Sequence, residues 1–268
     1  MKPVLERLIA EEPDAMRKRS LVREYLQARI LQCLQDSGAF SNWAFLGGTA
    51  LRFLFELPRY SEDLDFSVFP VDAHFEFERH IERVIRDLSR EAYDVNAKPT
   101  GEVGVRSAFF RFRGLLHELE LSGHRDEGVS VKVELDTNPP AGAGSETRIL
   151  RRYVILNVMH YDRASLFAGK LHAILARNYT KGRDLYDLMW YLSDATWPPP
   201  NLEFLNRALE QTSWPGPAVT SENWREIIRI ALDQVDWHRA VADVSPFLER
   251  PNEADFIRRE TFDELLGY

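Results

Sequence analysis

Apolar and polar positions along this chain repeat with two different periods, and the change from one to the other divides it. Over residues 14–35, Leu21, Tyr25, Ala28, Leu31 and Leu34 recur at helical spacing, which predicts an amphipathic helix stopped by Gly38. A short strand or turn at 43–46 then leads into Gly47-Gly48-Thr49. Thr49 is placed to cap a short apolar helix over about 50–56, which Pro58 closes. The period next falls to two. Asp63 and Asp65 alternate with Leu64 and Phe66 in a strand over about 64–69, with Asp63 at its mouth. A charged helix follows over 72–93, then alternating segments at 108–112, 117–121 and 129–136. The Gly-Pro loop 138–145 separates these from a further strand over 153–158. Beyond Asp162 the pattern is helical, broken into pieces by Trp197-Pro198-Pro199-Pro200 and Trp214-Pro215-Gly216-Pro217.

These elements predict an α+β chain with its boundary near residue 160. An α/β-type core with an N-terminal helix occupies residues 1–160, and a helical domain occupies 161–268. The 268 residues suffice to bury a real core, and 44% hydrophobic with 28% charged residues is ordinary for a globular protein. The lone cysteine, Cys33, excludes an intrachain disulfide. The N-terminus carries no apolar signal core, and no apolar run approaches the ~20 residues of a membrane span, so a cytoplasmic protein is expected. No heptad run or apolar stripe calls for an oligomer, and a monomer is the expectation.

Charge changes the picture in one respect. The net charge of −8 counts against a general nucleic-acid coat. Residues 100–183, however, carry 13 Lys+Arg against 9 Asp+Glu, leaving 21 against 33 for the rest. A basic middle inside an acidic protein suits a site that handles phosphates and RNA.

The candidate chemistry lies at the turn and the strand after it. Residues two apart in a strand point the same way, so Asp63 and Asp65 share a face. Two carboxylates on one face, just past glycines that admit a phosphate, suit metal-dependent phosphoryl transfer, where two ions stand roughly 3.5–4 Å apart. A third carboxylate is sought on Val131-Lys132-Val133-Glu134-Leu135-Asp136, whose polar face carries Lys132, Glu134 and Asp136. Glu134 is favoured because it lies mid-strand, and Asp136 is the alternative. Lys132 balances the carboxylates or touches a phosphate. Gly47 and Gly48 leave room for phosphate at a helix N-terminus, and the Thr49 hydroxyl contacts phosphate, caps the helix, or both.

Further on, Lys170 and Arg177 are seven apart on one helical face, able to lie along a triphosphate. Asp184 and Asp187 follow one turn apart near a helix N-terminus, where negative charge is favoured. Asp184 is then a helix cap, and Asp187 either holds Arg177 or Lys170 or acts directly. Ser61, Asp136, Asp184 and Asp187 form the supporting set around the candidate catalytic residues Asp63, Asp65, Glu134 and Lys170.

Four segments in order carry a resemblance: Gly47-Gly48-Thr49 with Asp63-Leu64-Asp65; Lys132-Val133-Glu134-Leu135; residues 170–177; and Arg183-Asp184-Leu185-Tyr186-Asp187. Together they resemble the AbiEii/AbiGii-type nucleotidyltransferase toxins, a branch of the polymerase-β-like nucleotidyltransferase superfamily that includes the mycobacterial MenT toxins. The resemblance implies a mixed sheet flanked by helices, with a C-terminal helical bundle closing an NTP cleft. It further implies Mg²⁺, an NTP donor, transfer of nucleotides to RNA including tRNA 3′ ends, and a cognate antitoxin. Transfer to a protein or an antibiotic-type small molecule, and a non-catalytic nucleotide-binding module, are the alternatives.

Overall fold

The computed structural model describes residues 2–102, 104–177 and 179–267. In chain order the elements are α1 (Lys2–Ala10), α2 (Ala15–Asp36), β1 (Trp43–Leu46), α3 (Gly47–Phe55), β2 (Asp63–Val68) and α4 (Phe77–Arg90). Then come β3 (Val95–Asn96), β4 (Pro99–Glu102), β5 (Val105–Phe112), α5 (Leu115–Glu118), β6 (Val129–Asp136), β7 (Ser145–Arg152) and β8 (Val154–Tyr161). Helices close the chain: α6 (Arg163–Ala176), α7 (Gly182–Ser193), α8 (Leu202–Gln211), α9 (Trp224–Leu232), α10 (Trp237–Val244) and α11 (Arg259–Leu266). Among the described residues no helix is long and apolar enough to cross a membrane.

The chain forms two compact units. The first comprises Met1–Glu56, Tyr60–Pro139 and Thr147–His160; the second comprises Leu57–Arg59, Pro140–Glu146 and Tyr161–Tyr268. The first is built on a mixed sheet in the order β3-β5-β6-β2-β1-β8-β7, with β4 paired to β5 beyond β3. The pairs β2–β6 and β1–β8 are parallel, whereas β1–β2 and β5–β6 are antiparallel. Alternation explains why one face is covered: Trp43, Phe45, Leu64, Phe66, Val133 and Leu135 point inward with residues of α2 and α4. Trp43 stacks on Phe77 at 5.6 Å, and Phe45 on Phe66 at 5.2 Å. Burial of each such ring is worth roughly 1.5–3 kcal/mol.

The second unit is a helical assembly centred on Phe167, Leu171, Leu185, Leu188 and Tyr191. Phe167 stacks on Tyr191 at 4.6 Å and meets the edge of Trp224 at 5.8 Å. The mixed sheet with flanking helices and the helical C-terminal region are the architecture that the sequence predicts.

Local signals set several boundaries. Asp14 caps α2 by accepting from Arg17 N at 2.8 Å, and Gly38 follows its end at φ +86°. Asp162 caps α6 in the same way through Ser165 N at 2.7 Å. Three expectations are corrected. The segment 117–121 is not a strand: Gly114 turns at φ +69° into the short helix α5, which buries Leu115, Leu116 and Leu119 at helical spacing. The charged helix begins at Phe77, not near 72. The helix after the glycines begins at Gly47, with Leu46 in the cap position, so Thr49 lies inside its first turn and is not its cap.

Candidate functional site

The parallel register of β2 and β6 sets Asp63 beside Lys132, Asp65 beside Glu134, and Ser67 beside Asp136. Partners in register point to the same side of a sheet. The carboxylates of Asp63, Asp65, Glu134 and Asp136 therefore share the face opposite the buried Leu64, Phe66, Val133 and Leu135. This face is the first candidate site, and it unites four predicted residues from strands some 70 positions apart in sequence.

Within it, the Lys132 amine donates to Glu134 Oε2. Burial works against charge on that amine, but the Glu134 bond and the carboxylates of Glu134, Asp63 and Asp65 outweigh it and raise its pKa. Asp136 titrates higher than an ordinary carboxyl. Burial is the main cause and Glu134 adds to it, against the Asn138 N–H that Asp136 accepts at 2.9 Å. No three His, Cys, Asp or Glu side chains stand in a ligating cluster among the described residues. On this face the reason is visible, since the Glu134 carboxylate is turned to Lys132.

The glycine turn abuts the carboxylates. Gly47 has φ +79°, and a Cβ there would collide with Asp65 Oδ2 and stand 3.2 Å from its Cβ and Cγ. Both the left-handed backbone and this close approach require glycine. Gly48 is buried one position on. The Thr49 hydroxyl donates to the Asp63 carbonyl oxygen, and its side chain is fully buried, so it braces β2. Gly47→Ala is expected to push Asp65 out of position. Left-handed strain of about 1–2 kcal/mol should lower the Tm by only a few degrees. Activity should fall about 100-fold, the scale expected of a 1 Å misplacement, as a radiolabel transfer assay would show.

Sequence reasoning missed a buried network beneath the segment that leads into β2. Glu24 and Arg52, each 2% exposed, form an ion pair. Glu24 also accepts from Arg152 Nε at 3.0 Å and from the Tyr153 hydroxyl at 2.7 Å. Arg52 lies 4.4 Å from the Tyr60 ring centroid, and Gln27 Nε2 donates to the Ser61 carbonyl at 3.0 Å. Ser61 thus takes part in the site's support through its backbone. The available signal was Glu24 and Gln27 lying among Tyr25, Leu26 and Ala28 on the buried side of α2.

The second unit holds a separate cluster. The Asp187 carboxylate, 0% exposed, accepts from Arg59 Nε and Nη2 at 2.6 and 2.7 Å and pairs with Lys170 Nζ at 2.6 Å. Asp184 takes Lys170 at 3.1 Å and also pairs with Arg177, which caps the C-terminus of α6. Asp184 is not the cap of α7; Lys181 holds that position, and the Asp184 side chain serves the two cations. Lys170, 12% exposed, is thereby held between two carboxylates.

Burial alone would raise the pKa of Asp187, but the charges of Arg59 and Lys170 outweigh it and hold the carboxyl below the usual range. Burial likewise disfavours the Lys170 charge, and Asp187 and Asp184 reverse that and raise its pKa. Arg59 was missed as the main partner of Asp187. Its only signal was position, four residues before Asp63 in Arg59-Tyr60-Ser61-Glu62-Asp63.

No curated protein matches the chain significantly. Among solved structures, MenT4, a nucleotidyltransferase toxin from Mycobacterium tuberculosis H37Rv, is similar with a TM-score of 0.59 at 17% identity, over 100% of this chain and 90% of that one. JHP933 from Helicobacter pylori is similar with a TM-score of 0.53 at 18% identity, over 92% of this chain and 91% of that one. At such identities the likeness shows a shared fold. The family model for the nucleotidyl transferase AbiEii toxin of type IV toxin–antitoxin systems matches residues 29–267. The chain belongs to the AbiEii nucleotidyltransferase toxin family.

Proposed function

We propose that this toxin transfers a nucleoside monophosphate from an NTP to a hydroxyl of RNA, tRNA foremost, on the carboxylate face of β2 and β6, with Mg²⁺ as the ion. The observation that carries the reading is the register of Asp65 beside Glu134, with Gly47 against Asp65. The donors there are carboxylate oxygens, which fits a hard divalent cation such as Mg²⁺. Bound there, one or two such ions would supply charge to the phosphoryl oxygens and would lower the pKa of the acceptor hydroxyl. Asp63 and Asp65 are the ligands we assign first. Glu134 is third in preference to Asp136 because it pairs across from Asp65, whereas Asp136 pairs across from Ser67.

Gly47, Gly48 and the N–H groups opening α3 hold the phosphates. Lys132 keeps Glu134 oriented until the ligands assemble. Within the helical unit, Asp184 and Asp187 set the positions of Lys170 and Arg177. Catalysis by this set is positioning and charge stabilisation, as in other phosphoryl transfers. An antitoxin partner accords with the type IV toxin–antitoxin family. A cytoplasmic monomer is the working state.

RNA as acceptor is supported by the basic stretch 100–183. The net charge of −8 favours a second reading, in which the acceptor is a protein or small molecule. Incubation with Mg²⁺, total cellular RNA and each α-³²P-NTP in turn decides between them. The expected outcome is a labelled RNA band with one preferred nucleotide. Label confined to protein or to small molecules would replace RNA as the acceptor.

A further inference from the structure

The carboxylate face does not end at β6. The antiparallel register of β5 and β6 sets Phe109 beside Lys132, Ser107 beside Glu134 and Arg111 beside Ser130. Ser107, Phe109 and Arg111 therefore stand on the same side of the sheet as Asp63 and Asp65. The intervening Ala108, Phe110 and Phe112 are buried on the other side. Phe109 is 48% exposed, and the Lys132 ammonium lies 5.7 Å from its ring centroid. Arg111, the next residue on that face of β5, is exposed as well. A large aromatic held open on a sheet, flanked by two cations, is the arrangement that stacks a base and holds its phosphodiester.

The strand order decides which base. Across the sheet the sequence of strands is β5-β6-β2-β1, and α3 follows directly from β1. The glycine turn assigned to the NTP phosphates therefore lies on one side of Asp63 and Asp65, and Phe109 lies on the other, beyond Lys132 and Glu134. With strands about 4.8 Å apart, the Phe109 backbone is about 10 Å from that of Asp63. That is within the span of the last two nucleotides of a single strand whose 3′ hydroxyl sits at the carboxylates.

We propose that Phe109, with Arg111 and Lys132 beside it, is a stacking platform for a base at the 3′ end of the acceptor RNA. The proposal rests on the reading of RNA as acceptor given above. Its test measures binding of a 5′-fluorescein single-stranded oligoribonucleotide with a free 3′ hydroxyl, by anisotropy at fixed low salt. Phe109→Ala and Phe109→Leu should weaken binding about five- to a hundredfold, the range for loss of one stacked base, and Phe109→Trp should restore it. Calorimetric NTP affinity should stay within twofold of wild type in all three.

Equal binding by wild type and Phe109→Ala overturns the platform, as does an absence of oligoribonucleotide binding by wild type. Loss of NTP affinity in Phe109→Ala overturns its assignment to the acceptor. Label transfer to RNA by the wild type, run in parallel, tests the acceptor reading by itself. Transfer that persists undiminished in Phe109→Ala leaves that reading standing and removes the platform.

Discussion

Asp65→Ala is expected to lower nucleotidyl transfer by more than about 100-fold while the protein stays folded. Loss of a group that only supports a metal ligand costs 10–100-fold, so loss of a ligand itself lies beyond that range. Asp65 holds the central place on the face: it pairs in register with Glu134, and Gly47 is shaped around its carboxylate. The fold should tolerate the change, because the β2 residues that build the core are Leu64, Phe66 and Val68, on the opposite side. Removing one of four carboxylates from one face also relieves like-charge repulsion. Circular dichroism should be unchanged and the Tm shifted by no more than a few degrees. Two companions sharpen the result: Glu134→Ala should behave like Asp65→Ala, and Asp136→Ala should keep most activity. The reverse order for Glu134 and Asp136 would move the third ligand to Asp136.

The largest loss of stability is expected from Asp187→Ala. Its carboxylate is fully buried and is shared by Arg59, which is 2% exposed, and Lys170. Deleting it takes the bidentate carboxylate from buried Arg59 and leaves Lys170 with Asp184 alone of its two carboxylates. Breaking a buried pair in this way costs about 3–5 kcal/mol. At 2–4 °C per kcal/mol the Tm should fall by roughly 6–20 °C. Glu203→Ala, at an exposed ion pair with Arg207, should change stability by no more than about 0.5 kcal/mol.

The pH dependence has a definite sign. The Asp187 carboxyl titrates below its unfolded value of 3.8, so its stabilising contribution is complete above that pH and is lost as pH falls through the folded value. In urea denaturation the gap between wild type and Asp187→Ala should be widest near neutral pH and narrow below about pH 4. A gap independent of pH would mean that charge at Asp187 contributes little.

What the sequence revealed, and what it hid, follows from the range of the interactions involved. Alternation in 63–66 and 131–136 is local, and it located β2 and β6 with their polar faces. The helical period located α2, and the helical pattern beyond Asp162 located the helices that begin with α6. Strands β3, β4 and β7 escaped notice because they are short or polar, and pairing with neighbours makes them strands. Thr49 read as a cap because serine and threonine favour that position, whereas a carbonyl 14 residues away claims its hydroxyl.

The ionic partners were the least legible feature. The position of Asp187 after the basic helix points to Lys170 or Arg177 as its cation, and Lys170 is one of its partners. Its bidentate partner Arg59 is 128 positions distant, and no local pattern links the two. Glu24 and Arg52 hid for the same reason, since a charged residue on an apolar helix face signals burial without naming its partner.

The central claim is that the face of Asp63, Asp65 and Glu134 transfers a nucleotide. The most direct test runs wild type and Asp65→Ala with the preferred NTP labelled in parallel at the α- or the γ-phosphate. Nucleotidyl transfer predicts that α label enters the acceptor, that γ label leaves as pyrophosphate, and that both signals vanish in Asp65→Ala. Entry of γ label into the acceptor, or undiminished α transfer by Asp65→Ala, would contradict it.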